Sequence, residues 1–514
     1  MDAPSSKFSA NQHLRNLVSN GILVVTNVLI SLWYTPFLIR NLGNELFGFI
    51  PLADSVTYFL GILTLSLNIS LGRYLTIELE KGDTGRANQI FNTTLFCTLL
   101  IISFTFPIAI ILVFFIPQIF NVPFGQERNV QLLFLGTIGA FFLTTLQLNF
   151  SIATFARNRF DLKNIISLTA RVGQVITVLF LFNLKSPDVV SIGIGALIAA
   201  MLSIIGDFFL WKRLLPDLQL GKQFFSKNYL PELFKTGIWM LIYQSGFIIF
   251  LSVDMLVANK VLSLSLAGMY GAILILPKNL RILASAVGGI WGPVTLSKFS
   301  KADFTGMDLV VRFSIKTIGL ICAIPIGLLS GLSSPFLILW LGDSFNSMTW
   351  VLILMVLPLS VNLITSPFYN IQLTMNRIKL PAIMGLVLGA SYYILANRLA
   401  LSFGPIGITA AGALTLSLNN LIFSPIYTAV IMKRKWWHYM VRLLLITIAP
   451  CSIAFTSFFV NKIFPARSLI HLLLMGSVIS LLYLAIIFYW VLSKKEKGLI
   501  VQTITGYFPA NQNN

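Results

Sequence analysis

Charge is what this chain has least of. Only 10% of its 514 residues are Asp, Glu, Lys or Arg, against roughly 25% in soluble proteins. The three or four soluble domains expected at about 150 residues each cannot cover their surfaces with so few charges. Acidic residues are scarcer still, 17 against 36 Lys and Arg, which leaves a net charge of +19. Cysteine and histidine number three each. Cys97, Cys322 and Cys451 fall inside apolar stretches with no CxxC spacing, so neither a disulfide framework nor a zinc site is expected. His13, His438 and His471 are too scattered to form a metal-binding pair, and no metal or other cofactor is implied. There is no GxxxxGK[ST] loop to make ATP the direct energy source. Gly193-Ile194-Gly195 lies in an apolar stretch without a preceding strand, which marks helix packing and not a nucleotide site.

What the chain does have is apolar sequence: 56% of it is hydrophobic. It runs in stretches of about 20 residues, the length an α-helix needs to cross a bilayer. Strands of a membrane β-barrel would alternate polar and apolar residues, and these do not. The fold class is an all-α polytopic membrane protein. Fourteen spans are expected, near 17–39, 46–71, 90–116, 130–152, 164–184, 190–211, 236–258, 266–294, 310–333, 348–373, 381–400, 406–432, 443–461 and 468–492. The first is long and lacks a small-residue cleavage site, so it reads as a retained span and not a secretory signal. Span eight, over Gly268–Ser297, invites a break at Pro277 or Pro293, where a backbone donor is missing. Trp33, Trp211, Trp239, Trp350, Trp436, Trp437 and Trp490 fall near span ends, as an interfacial aromatic belt requires.

The positive charge is topological. One alternating set of connections holds 25 Lys and Arg, including Arg157, Arg159 and Lys163, Lys433-Arg434-Lys435, Lys235, and Lys494, Lys495 and Lys497. The other set holds six: Arg40, Arg128, Lys185, Lys260, Lys462 and Arg467. The positive-inside rule then places both termini in the cytoplasm, and no nucleic-acid partner is implied.

The chain also repeats itself. Pro117 and Pro335 follow spans three and nine, and Asn158-Arg159 and Asn376-Arg377 follow spans four and ten, each pair 218 residues apart. Gly48 and Gly268 open spans two and eight, 220 apart. An even displacement of six spans makes a parallel repeat. The expected division is a six-helix bundle over 1–215, a cytoplasmic linker over 216–235, a second bundle over 236–432, and two extra helices with a tail over 433–514.

Asn41-Leu42-Gly43-Asn44-Glu45-Leu46-Phe47-Gly48, Asp254-Met255-Leu256-Val257 leading to Ala267-Gly268-Met269-Tyr270, and Leu339-Trp340-Leu341-Gly342 carry a resemblance. So do Asn376-Arg377-Ile378-Lys379-Leu380-Pro381 and Gly404-Pro405-Ile406-Gly407-Ile408. Together they resemble the polysaccharide transporters, the Wzx-type O-antigen flippases of the multidrug, oligosaccharidyl-lipid and polysaccharide exporter superfamily. The resemblance runs from about residue 17 to 430. It implies two bundles around a central cavity and alternating access. The cargo it implies is a polyprenyl-diphosphate-linked glycan, handed on to polysaccharide polymerase machinery. Fourteen spans are more typical of the peptidoglycan-precursor flippases of the same superfamily. A multidrug/cation antiporter of this fold is a rival. So is a membrane ligase or polymerase acting on lipid-linked sugars, although the chain has no loop large enough for a catalytic domain.

Few charges fall inside spans. Each costs about 2.5–3.5 kcal/mol at the bilayer centre unless a partner or a wet cavity meets it. Lys278 and Arg281 lie i, i+3 on one face of span eight, roughly 17–21 Å from its start. One reading is a diphosphate site, with Arg171 on span five as a third cation. The other is pairing with acids such as Asp54 or Asp254. Those two acids are the candidates for coupling transport to an H+ or Na+ gradient. Asp207, followed by Trp211, Lys212 and Arg213, reads as an interfacial charge.

Overall fold

The computed structural model describes residues 6–230, 238–289 and 291–491. All regular structure among them is helical. Helices Ser6–Phe47, Phe49–Glu80, Thr84–Ile119, Glu127–Ala156, Phe160–Leu184 and Val190–Leu214 are spans one to six. Ile238–Val261 is span seven, Leu264–Ile273 with Ile275–Gly288 span eight, and Phe304–Gly331 span nine. Span ten comes in three pieces, Thr349–Val356, Leu359–Asn362 and Ser366–Thr374. Lys379–Phe403 is span eleven. Span twelve is Pro405–Ser417, a π-turn over Leu418–Phe423, and Ser424–Ile431. Met440–Ile463 and Leu469–Ile486 are spans thirteen and fourteen. Thirteen helices among the described residues are long and apolar enough to cross a membrane. Span two is a helix of 32 residues. Lys235, Lys494, Lys495 and Lys497 lie outside the described residues.

The internal repeat is written into the backbone. Asn158 and Asn376 both take the left-handed conformation, with φ of 52° and 55°. In each loop the following Arg N–H donates back to the helix, Arg159 to the Thr154 carbonyl and Arg377 to the Gln372 carbonyl, both at 2.7 Å. That is one helix-terminating motif used twice. A further pair escapes a reading of the sequence alone. Gly82 and Ala302 have φ of 75° and 53°, and each precedes an Asp that caps the next helix. Asp83 accepts from the Arg86 amide at 2.9 Å and Asp303 from the Gly306 amide at 2.7 Å. Span one packs on five and span seven on eleven; span two touches seven and span one touches eight. Exchanging the halves maps each contact onto its counterpart. The repeat-related Gly48 and Gly268 meet where the halves meet: a Cβ on Gly48 would stand 3.0 Å from the Gly268 Cα.

Other contacts hold the surrounding parts. The segment after span six is strapped to span three, with Asn88 and Asn92 side chains each donating to and accepting from its backbone (Asp217, Gln219, Gly221). Span thirteen lies against Gly319, Gly327 and Gly331 of span nine, so close that a Cβ on Gly327 would sit 2.5 Å from the Ile453 Cβ. Small residues allow such approach where lipid offers no hydrophobic drive. At the basic end of that seam, buried Asp308 bonds Arg312 at 2.9 Å, His438 at 3.0 Å and the Tyr439 hydroxyl at 2.8 Å.

Two expectations change. Asp207 is not interfacial: it is fully buried and accepts from Gln147 and Lys163. Its neighbour Trp211 is not a belt residue either, being only 3% exposed among Phe91, Phe150 and Phe208. Trp33, Trp350 and Trp490 are exposed as a belt requires. Span eight is irregular at Leu274, next to the expected Pro277 position: the proline has no N–H, so the Ile273 carbonyl loses its helical partner, while Leu274 keeps helical angles. Its described helix ends at Gly288, and Trp291–Ser300, which contains Pro293, is helical.

Candidate functional site

Spans two, seven, eight, ten, eleven and twelve enclose a cavity with two adjoining lobes of about 550 and 400 Å³. The larger is lined by Asp54 and Tyr58 of span two, Asp254 of span seven, and Lys278 and Arg281 of span eight. The smaller extends toward the basic end between Tyr243, Gln244, Tyr369, Gln372, Asn419 and Asn420. Arg281, Phe250, Ser285 and Asn362 line both.

The structure therefore brings four of the five sequence candidates into one space. Lys278 and Arg281 follow the irregular turn at Leu274 by about one and two helical turns. Lys278 Nζ lies 3.4 Å from Asp54 Oδ2, bridging the halves, and 5.9 Å from the Tyr58 ring centroid. Both members of the pair face the cavity, and Asp54 is the main electrostatic partner of Lys278. Asp254 is the acid that acts electrostatically on Arg281. Among the described residues, Arg281 has no ion pair within 4.0 Å and no hydrogen bond to the protein. Of the two readings of the cationic pair, Lys278 thus has an acid partner, while Arg281 is left for something else.

Arg171 does not join this group. It donates to Gln174 at 2.7 Å, lies 5.9 Å from the Tyr34 ring centroid, and lines neither lobe. Sequence reasoning also missed the amide-rich lobe. The available signal was Asn362, Asn419 and Asn420, three carboxamides inside otherwise apolar spans.

No family model matches the chain. The membrane protein EpsK of Bacillus subtilis (strain 168) is 32% identical over 494 residues, covering 95% of this chain and 97% of the relative. The chain belongs to the EpsK family. Two groups of solved structures share the fold of this EpsK-family chain. The lipid II flippase MurJ, in an inward closed conformation, aligns with a TM-score of 0.60 at 15% identity, over 92% of this chain and 99% of that one. The MATE multidrug transporter DinF-BH aligns at 0.59 and 15% identity, over 85% and 97%. This EpsK-family protein is a multi-pass membrane protein with the fold of the MATE and MurJ transporters.

Proposed function

We propose that this protein is a flippase that moves a polyprenyl-diphosphate-linked oligosaccharide across the plasma membrane by alternating access. The observation that carries the reading is the unpaired Arg281 guanidinium at the junction of the two cavity lobes. A charge at membrane depth costs several kcal/mol unless it is met; Asp254 acts on Arg281 without a direct ion pair, and a travelling diphosphate supplies acceptor oxygens matched to the guanidinium fork. Lys278 assists once its pairing with Asp54 gives way to the diphosphate. The segments 1–215 and 236–432 are the two moving bodies, with the basic end and both termini in the cytoplasm. MurJ, whose name describes a lipid II flippase, supports a lipid-linked cargo class.

The antiporter alternative is disfavoured by charge. A cavity for cationic drugs calls for an excess of acid, whereas Asp54 and Asp254 are matched here by Lys278 and Arg281. Coupling to H+ or Na+ falls to Asp254, and to Asp54 once Lys278 leaves it for the diphosphate.

The test is flipping of a fluorescent polyprenyl-diphosphate disaccharide in reconstituted vesicles, with thermal stability read alongside. Arg281→Ala should fold normally and lose flipping by about 100-fold or more, equivalent to about 2.7 kcal/mol or more of lost interaction. Arg281→Lys should fall between, since it keeps the charge and loses the fork. Full transport by a well-folded Arg281→Ala protein would sink the reading.

A further inference from the structure

Below Arg281, the smaller lobe has a different chemistry from the larger one. Among the described residues, Arg281 is the only charged side chain that lines it. Its polar groups are amides and hydroxyls, held by two helices that both depart from regular geometry at this point. Span ten is interrupted after Asn362, and span twelve passes through its π-turn at Asn419 and Asn420. Such turns concentrate at functional sites because they re-aim side chains at a cost in helix regularity.

The re-aimed groups form a chain. Asn419 donates to Asn420 Oδ1 at 3.0 Å, and Asn420 donates to Asn362 Oδ1 at 3.1 Å. A carboxamide has both donors and acceptors, so this chain offers an unused acceptor at the Asn419 end and an unused donor at the Asn362 end. Gln244, Ser285 and Ser366 line the same lobe, and among the described residues their side chains make no hydrogen bond within the protein. Tyr243 and Tyr369 stack at 4.5 Å and 19° and form one wall. An aromatic pair beside scattered neutral donors and acceptors suits a pyranose ring, whose hydroxyls both give and accept and whose C–H groups pack against ring edges. The volume of about 400 Å³ lies within the range of about 300–1,000 Å³ usual for ligand sites.

We propose that this lobe is a subsite for the uncharged sugar residues next to the diphosphate, and that it selects neutral or N-acetylated sugars over uronic acids. The inference rests on the lipid-linked glycan reading and adds the polarity of the bound cargo: diphosphate at Arg281, sugar toward the basic end. A carboxylate-bearing sugar would be buried there without a cation of its own, and burying an unpaired charge is costly.

Binding to the full-length protein in detergent tests this with three probes. They are undecaprenyl diphosphate, the same lipid carrying an N-acetylated neutral disaccharide, and the same lipid carrying a uronic acid. The neutral glycolipid should bind about tenfold more tightly than the bare lipid, and the uronic form no more tightly than the bare lipid. Asn419→Ala should erase the neutral sugar's gain and leave bare-lipid affinity unchanged. Ser366→Ala, which removes a hydroxyl without a protein partner, should reduce the gain severalfold without touching the fold. Equal wild-type affinity for bare and neutral lipids would overturn the subsite, as would Asn419→Ala and Ser366→Ala variants that keep the gain or that weaken both lipids equally. Failure of the underlying reading looks different: bare-lipid affinity would be indifferent to Arg281→Ala while the sugar's gain persisted.

Discussion

Spans four and six and their counterparts ten and twelve began as the same piece of architecture and have diverged. In the first half both helices are continuous, 30 and 25 residues long. They meet so closely that a Cβ on Gly136 would lie 2.7 Å from the Gly193 backbone. In the second half span ten is cut into three pieces and span twelve carries the π-turn. At the 218-residue offset, Pro358 and Asn362 occupy the places of Ala140 and Thr144. The cavity is lined almost wholly by the irregular half, with span two as the first half's contribution. Duplication supplied the frame, and departures from the repeat supply the polar lining. A helix whose backbone bonds are all satisfied internally presents only side chains, whereas a broken one frees backbone groups and redirects its amides.

The comparison breaks most violently at its tightest point. Gly136→Leu or Gly193→Leu should destabilise the protein by about 3 kcal/mol, since there is no room for a side chain. Leu354→Gly, at the place of Gly136 in span ten, should cost less. Thermal unfolding in detergent separates the two, and equal losses would refute the asymmetry. Next in size is Asp308→Ala, which strands Arg312 and frees Tyr439. A loss of roughly 2–3 kcal/mol is expected after allowing for the partly exposed Arg312. Cysteine cross-linking between spans nine and thirteen should weaken in parallel.

Pro358→Ala sharpens the comparison from the other side. Restoring the residue type of the regular half should leave stability within about 1 kcal/mol or raise it. Transport should fall as span ten straightens and Asn362 turns away. Unchanged flipping would mean that the break does not serve the site.

The smallest effect concerns the repeated caps. Asp83→Ala and Asp303→Ala should lower stability slightly and by similar amounts. The Gly306 amide, with Lys298 beside it, holds the Asp303 carboxyl below the usual carboxylate value of 3.8. Its contribution is therefore full above that value and lost as pH falls through the lowered one. The Asp303→Ala deficit should be visible at neutral pH and vanish in acid; a deficit that grows in acid would reverse the assignment.

Much of this is legible in the sequence, and for simple reasons. Apolar length shows the spans, and the spacing of Asn158 and Asn376 shows the repeat. The scarcity of intramembrane charge singles out Lys278, Arg281, Asp54 and Asp254. What stayed hidden depends on partners far away in the chain. Asp207 precedes two phenylalanines and a Trp-Lys-Arg run, so its burial against Gln147 and Lys163 leaves no local trace. Arg171 sits at the right depth, but whether it faces the cavity or Tyr34 is decided by the rotation of span five, which hydrophobic pattern alone did not fix. The π-turn has no sequence signature beyond the Asn pair itself.

The meeting of Gly48 with Gly268 has a meaning of its own. It is a position touching its own copy, as happens on the axis of a symmetric dimer. In a dimer of identical chains, any change at such a site is felt twice, because both partners receive it at once. In a fused duplicate the two can vary one at a time, yet here both remain glycine: a Cβ on either would strike the other segment's backbone. The contact still obeys a dimer's arithmetic inside a single chain. A lineage that enlarges one member must first have moved the other half.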